Sequence, residues 1–142
     1  MSIYKSIGLD LGSKTCGVAV SDGLGMYAHP LVTLRFDGNL EDLKDMIQPI
    51  LKEHNVNTIA LGYPKMMNND IGERALISEE FKALLETWFN IKVVLIDERL
   101  TSVLSERQLI AQDVSRKKRK KVVDQAAAVQ ILQSLLDRQR FF

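Results

Sequence analysis

The stretch Tyr4-Lys-Ser-Ile-Gly-Leu-Asp-Leu-Gly-Ser-Lys-Thr-Cys-Gly-Val-Ala-Val-Ser-Asp22 decides the fold, because it predicts two β-strands joined by a tight turn. In the first strand Ile7, Leu9 and Leu11 share one parity, whereas Asp10 has the other. Burying an unpaired charge is costly. Asp10 must therefore be hydrogen-bonded, or it must serve as one ligand of a metal or phosphate site.

Length and composition bound the class of protein. The 142 residues suit one domain with a proper core, so we expect a single domain over residues 1–142. No apolar run approaches a membrane span and the N-terminus lacks a signal-peptide pattern, which argues against a membrane partner. Cys16 is the only cysteine, so an internal disulfide is impossible, as is common in a reducing cytosol.

Positive charge is concentrated in one run. The chain has a net charge of +1, but Arg116 to Lys121 are six consecutive basic residues. Outside this run the chain has 13 Lys and Arg and 18 Asp and Glu, so the rest of the chain carries a net charge of −5. An anionic partner is therefore expected at the basic run.

The rest of the chain alternates strand and helix signals. Strands are predicted over residues 26–34, 58–61 and 92–96, and helices over 40–51, 73–89, 102–111 and 122–138. We expect a kink or break at Pro49, and a loop for the basic run. In the second helix Leu76 and Ile77 are placed on the buried face. Three successive antiparallel strands followed by helix–strand alternation predict an α/β fold, a five-stranded mixed sheet with helices on both faces.

Three carboxylates from distant parts of the chain are predicted to meet. Asp10 lies in the first strand, Glu98 follows the last strand, and Asp124 begins the last helix. The ends of adjacent parallel strands lie side by side, so Asp10 and Glu98 are expected close together. Asp97 competes with Glu98, since parity does not settle which of the two faces the site.

Clustered carboxylates repel one another unless a cation joins them. Oxygen-only ligands suit Mg²⁺ or Mn²⁺, and paired ions of this kind activate water and stabilise the leaving oxygen of a phosphodiester.

Each of the three carboxylates also has a simpler explanation. Asp124 is favourable in a first helical turn by the macrodipole alone, Glu98 can pair with Arg99, and Asp10 can be a hydrogen-bonded turn carboxylate.

Four segments resemble the YqgF family, whose members are related to RuvC-type Holliday-junction resolvases. They are Ile7-Gly-Leu-Asp-Leu-Gly-Ser-Lys-Thr-Cys-Gly-Val-Ala-Val, Leu61-Gly-Tyr-Pro, Asp97-Glu-Arg-Leu-Thr-Ser and Lys121-Val-Val-Asp-Gln-Ala-Ala-Ala-Val-Gln-Ile-Leu. The resemblance implies a ribonuclease H-like fold and a cytoplasmic, metal-dependent nuclease that matures the 5′ end of precursor 16S rRNA. It also implies that Asp10, Glu98 and Asp124 are the metal-binding catalytic residues.

The leading hypothesis is therefore a nuclease acting on structured RNA with Mg²⁺ or Mn²⁺. Its candidate phosphate contacts are the basic residues nearest the predicted site: Lys14, Arg99, Arg116, Lys117, Lys118, Arg119 and Lys120. A second hypothesis keeps the site and makes branched DNA the substrate, which requires a dimer. A third is a nucleic-acid-binding module without catalysis. We expect a monomer or weak homodimer.

Overall fold

The opening stretch folds into the predicted hairpin. The computed structural model describes residues 4–64, 72–97 and 116–141, and in the last helix the side chains of residues 125–139. Strand β1 (Lys5–Leu11) pairs antiparallel with β2 (Thr15–Ser21), and Asp10 lies opposite Gly17.

Five strands form one mixed sheet. The remaining elements are α1 (Asp42–Glu53), α2 (Glu73–Phe89) and α3 (Arg116–Phe141), with strands β3 (Ala28–Arg35), β4 (Val56–Tyr63) and β5 (Lys92–Asp97). The strand order is β3-β2-β1-β4-β5. Strands β1, β2 and β3 are antiparallel neighbours, whereas β1, β4 and β5 run parallel. The predicted five-stranded mixed sheet is confirmed.

Each face of the sheet carries its own apolar core. On one face, Leu9 and Leu61 pack in a cluster with Leu43 of α1 and Phe81 of α2. On the other face, sheet residues that include Ala60 pack against α3, through the cluster Ala19, Ala60, Ile96, Ala128, Ile131, Leu132, Leu135 and Leu136. The helices therefore cover both faces, as predicted.

Small residues bring α3 close to the sheet. Gly8 of β1 lies so near this helix that a Cβ there would stand 2.6 Å from the carbonyl oxygen of Ala128 and 2.8 Å from Cβ of Leu132. Contacts this short are not tolerated, so glycine is required at this position. Ala19 and Ala60 are the other small sheet residues in the cluster, and both are fully buried.

The structure corrects two predictions about helices on the first face, a break at Pro49 and the buried face of α2. α1 runs without a break through Pro49 to Glu53, and a kink at Pro49 stays a prediction. Pro49 and Asp45 are both exposed, so water can reach the Asp45 carbonyl that loses its partner. In α2, Leu76 and Ile77 are 56% and 38% exposed.

The buried face of α2 is instead formed by Ala75, Ser78, Phe81 and Leu85. Small side chains at the first two positions let the helix start close to the sheet. This choice of face turns the larger neighbouring side chains toward solvent.

The basic run is helical, which corrects the predicted loop. α3 begins at Arg116, six residues before the predicted start. Lys and Arg are good helix formers, and no Gly or Pro interrupts the sequence from Arg116 to Phe141. Helix propensity therefore extends α3 upstream of its apolar part.

Some predictions concern parts of the chain outside the described residues. The helix predicted over 102–111 is one, and most of the segment between β4 and α2 is another. Within the described residues, none of the helices combines the length and apolarity that a bilayer crossing needs.

Candidate active site at the sheet edge

Asp10 is a half-buried carboxylate near the end of a central strand. It has the same parity as Gly8, so it points to the face that α3 covers. Among the described residues, no side chain donates a hydrogen bond to it and no basic group pairs with it. A partly desolvated carboxylate without a protein donor is a group that a cation would stabilise.

The path of α3 places residue 124 beside Asp10. The helix contacts Gly8 at Ala128, and from there it runs antiparallel to β1. Asp10 lies two residues beyond Gly8, about 7 Å along the strand, and Asp124 lies four residues before Ala128, about 6 Å along the helix. Both displacements run toward the same end of the sheet, so Asp10 and residue 124 lie at the same level along it.

A second contact gives the same placement. Asp10 pairs with Gly17, and Gly17 pairs with Thr33, so the three residues form one row across the sheet. Nε2 of Gln125 donates a hydrogen bond to Oγ1 of Thr33 at 3.3 Å. Residue 125 of α3 therefore crosses the row that contains Asp10. The side chain of Asp124 itself lies outside the described side chains.

The macrodipole does not account for Asp124. In the structure this residue is the ninth of α3 rather than part of its first turn. The helix dipole acts mainly within the first turn, so it gives little stabilisation at this position. The simpler explanation offered for Asp124 from sequence is therefore weakened.

Asp97 lies on the opposite face from Asp10. Leu95 packs with the core of α1 and α2, whereas Ile96 packs against α3. Because side chains alternate along a strand, Asp97 shares the face of Leu95. Asp97 therefore points away from the face that carries Asp10, and the choice of Glu98 stays a prediction. Glu98 itself lies outside the described residues, as does Arg99.

The basic run occupies the same end of the molecule. Arg116 to Lys121 precede Asp124 by three to eight residues, so their backbone lies about 5–12 Å further along the helix axis, past the row of Asp10. Lys14 is exposed in the turn after β1, where its carbonyl accepts a hydrogen bond from the Phe36 N–H at 3.0 Å. The candidate phosphate contacts Lys14, Arg116, Lys117, Lys118, Arg119 and Lys120 therefore belong to segments at this edge.

Other candidate chemistry is weak in the described part of the chain. No three His, Cys, Asp or Glu side chains described by the structure gather as a metal site. Cys16 is fully buried, and burial together with the nearby charge of Asp10 raises the pKa of its thiol. The thiol therefore stays protonated, and it is unsuited to be a nucleophile or a metal ligand.

Two residues that shape this edge were not among the site residues predicted from sequence. Gly8 sets the distance between α3 and the strand of Asp10. The sequence feature that could have indicated this role is a glycine inside a strand, with the same parity as Asp10. Arg74 donates from Nη2 to the carbonyl oxygen of Leu11 at 3.0 Å. Nothing in the local pattern marks an arginine in the first turn of a helix as a contact to a strand from which four elements separate it along the chain.

Comparison with known proteins identifies the family. The sequence profile of RuvX, described as a Holliday junction resolvase, matches residues 4–138. The chain belongs to the RuvX family. A relative from Geobacillus kaustophilus is 52% identical over 96% of this chain and 99% of its own length. A relative from Bacillus subtilis is 47% identical over 92% of this chain and 96% of its own length. Both RuvX relatives are described as candidate pre-16S rRNA nucleases.

Solved structures confirm the fold. Thermus thermophilus RuvC in complex with a Holliday junction substrate has a TM-score of 0.57 and 12% identity, over 96% of both chains. The fowlpox virus Holliday junction resolvase has a TM-score of 0.51 and 12% identity, over 94% of this chain and 99% of that one. These structures confirm the ribonuclease H-like fold. The match to RuvX, which is the YqgF family, confirms the predicted family and the nuclease class.

Proposed function

We propose that this RuvX-family chain hydrolyses phosphodiester bonds of structured RNA at the sheet edge, with Asp10, Glu98 and Asp124 as the catalytic carboxylates. The proposal rests on the position of Asp10 and residue 124 at the same level along the sheet. Asp10 lies two residues beyond Gly8 on β1, and residue 124 lies four residues before Ala128, the residue of α3 that contacts Gly8. The opposite orientation of Asp97 leaves Glu98 as the carboxylate contributed by its segment.

The donor set fits a divalent metal. Asp10 is a half-buried carboxylate that lacks a donor among the described residues, and carboxylate oxygens are hard ligands that suit Mg²⁺ or Mn²⁺. Asp10, Glu98 and Asp124 would hold the ion, which supplies activation of water and stabilisation of developing charge on phosphate oxygens. The chain itself contributes the spacing of these carboxylates and the basic groups that hold the substrate.

Charge is unevenly distributed around this end of the sheet. The basic run begins α3, whereas Asp37, Glu41, Asp42 and Asp45 line a cleft beside α1 at the C-terminal end of β3. A nucleic acid is repelled from this cleft and attracted to the start of α3. Lys14, Arg99 and residues 116–120 are the proposed phosphate contacts.

The relatives' descriptions favour precursor 16S rRNA as the substrate. Cleavage toward the mature 5′ end in the cytoplasm is what the YqgF resemblance implies, and we propose both. The family description and the RuvC complex favour branched DNA as the second candidate. A single domain over residues 1–142 and a monomer or weak homodimer remain predictions. A non-catalytic binding module is the third possibility.

Cleavage of a precursor 16S transcript with Mg²⁺ or Mn²⁺ tests the proposal. We expect Asp10→Asn to lower the cleavage rate at least about 100-fold, since replacing even an indirect partner of a metal costs 10- to 100-fold. Asp45→Asn, an equal change on the exposed face of α1, should retain the wild-type rate. Equal rates for wild type and Asp10→Asn would refute the assignment.

A four-way DNA junction tested in parallel separates the substrates. Paired cuts of the junction, with no cleavage of the transcript, would favour the resolvase and should require a dimer. The binding module would be supported if the triple variant Asp10→Asn, Glu98→Gln, Asp124→Asn binds RNA like wild type and wild type neither cleaves nor binds metal.

A further inference from the structure

An arginine from the first turn of α2 stands at the end of the strand that carries Asp10. Nη2 of Arg74 donates a hydrogen bond to the carbonyl oxygen of Leu11 at 3.0 Å. Leu11 is the last residue of β1 and directly follows Asp10. The guanidinium therefore lies at the sheet edge, on the side of α2.

The surrounding contacts fix the helix start from which Arg74 extends. The N–H groups of Ala75 and Leu76 donate to the carbonyl of Gly72 at 3.1 and 3.2 Å. Ala75 is fully buried against the sheet. Further along α2, Glu79 accepts a hydrogen bond from the hydroxyl of Tyr63, whose pKa is raised by burial and by this carboxylate. The first turns of α2 are thus attached to the ends of both β1 and β4.

The contact to Leu11 uses one of the five N–H donors of the guanidinium. The residue is exposed, and no described carboxylate pairs with it. By contrast, Lys82 of the same helix is neutralised by Glu86 at 3.0 Å. A planar guanidinium that one terminal N–H holds in place, with donors left over, suits a phosphate group better than a mobile lysine does.

We propose that Arg74 binds a backbone phosphate of the nucleic acid, on the opposite side of the sheet edge from the basic run of α3. The nucleic acid would then be bound from both faces of the sheet, by α2 on one side and α3 on the other, with Asp10 between them. This inference rests on the proposed nucleic-acid substrate and adds to it a contact on the second face.

Salt dependence of binding tests this contact without relying on cleavage. Affinity for a precursor 16S transcript fragment is measured in the absence of divalent metal, over roughly 50 to 200 mM KCl. Arg74→Gln should reduce the slope of log K against log salt by about 0.7 to 0.9, the value expected for one lost phosphate contact. Glutamine removes the charge while keeping a polar N–H donor and a good helix propensity at this position.

Lys82→Gln is the matched control, because it removes the same charge from the same helix. Its slope should equal that of wild type. Equal slopes for Arg74→Gln and wild type, or equal reductions in both variants, would overturn the role of Arg74. Absence of RNA binding by wild type would overturn the proposed function together with this contact.

A measurement on the wild-type chain covers the case in which Arg74→Gln does not fold. Arginine modification by phenylglyoxal, mapped by mass spectrometry, should fall at Arg74 when the transcript is bound. Arg35 is also exposed but lines the acidic cleft, so its reactivity should not change. Unchanged modification of Arg74 in the complex would contradict the proposal.

Discussion

Gly8 is the residue on which the distance between Asp10 and α3 depends. We predict that Gly8→Ala destabilises the fold by about 1 to 3 kcal/mol, the usual cost of overpacking. The added Cβ would stand 2.6 Å from a backbone oxygen of α3, which cannot rotate away as a side chain can. Urea unfolding measures the loss, and cleavage should fall as well because α3 must move away from Asp10.

Gly23 supplies the control for this substitution. A Cβ at Gly23 meets nothing within 4 Å, and the residue lies in an exposed turn at the other end of the sheet. Gly23→Ala should leave stability unchanged or raise it by less than about 1 kcal/mol. Equal losses from the two substitutions would show that the close approach at Gly8 is not what limits stability.

At single positions, the sequence predicted the strand and the parity of Asp10 but could not choose between Asp97 and Glu98. Asp10 interrupts an alternating apolar pattern, so its face was readable. The run Val93 to Ile96 is apolar at both parities because β5 is covered on both faces. Such a run carries no alternation, and only the partners of Leu95 and Ile96 reveal which way Asp97 points.

At the level of elements, the five strands and the mixed character of the sheet followed from the sequence pattern, whereas helix phase and helix start did not. α2 buries Ala75 and Ser78 and exposes Leu76, because the small residues fit close to the sheet. Periodicity weighted by side-chain size selects the leucine instead. α3 extends through the basic run because helix propensity does not depend on having an apolar face.

The first two turns of α3 are electrostatically unfavourable. Six positive charges lie at the positive end of the helix dipole, and like charges four residues apart, such as Arg116 and Lys120, cost about 0.2 to 0.5 kcal/mol per pair. We predict that amide hydrogen exchange over residues 116–124 slows when about 0.5 M KCl screens these charges. RNA should have the same effect at low salt, since its phosphates neutralise the run directly.

Lys117→Glu with Lys118→Glu provides the reverse comparison. It places acidic groups at the helix start, so exchange over residues 116–124 should slow without salt while RNA affinity falls. Residues 127–136 pack against the sheet and serve as the internal control, since their exchange should not respond to salt. Salt-independent exchange in both segments would contradict the prediction.

On the scale of the whole molecule, charge is distributed unevenly around a fold that is nearly neutral overall. The basic run begins the helix that passes Asp10, and an acidic cleft lies at the end of β3. Net charge therefore says little about partners, whereas the location of the charge says much. Sequence alone gave the run and its sign, but its position relative to Asp10 required the antiparallel path of α3 across the sheet.

Two variants of equal net charge separate the location of charge from its total. In the first, the six residues 116–121 become Gln, a good helix former, so the net charge falls from +1 to −5. In the second, six basic residues elsewhere become Gln: Lys5, Lys44, Lys52, Lys82, Lys92 and Arg138. We predict that the first variant loses RNA affinity at least about 1,000-fold at low salt and most of its salt dependence, while the second binds nearly as wild type.

Hydrolysis of bis(p-nitrophenyl) phosphate, a small diester with a single negative charge that does not depend on a row of phosphate contacts for binding, provides the matching chemical readout. Both variants should hydrolyse it at the wild-type rate, because the carboxylates at the sheet edge are unchanged. Equal loss of RNA binding in the two variants would show that net charge, rather than the position of the run beside Asp10, governs substrate capture. Loss of small-diester hydrolysis in the first variant alone would instead make the start of α3 part of the chemical site.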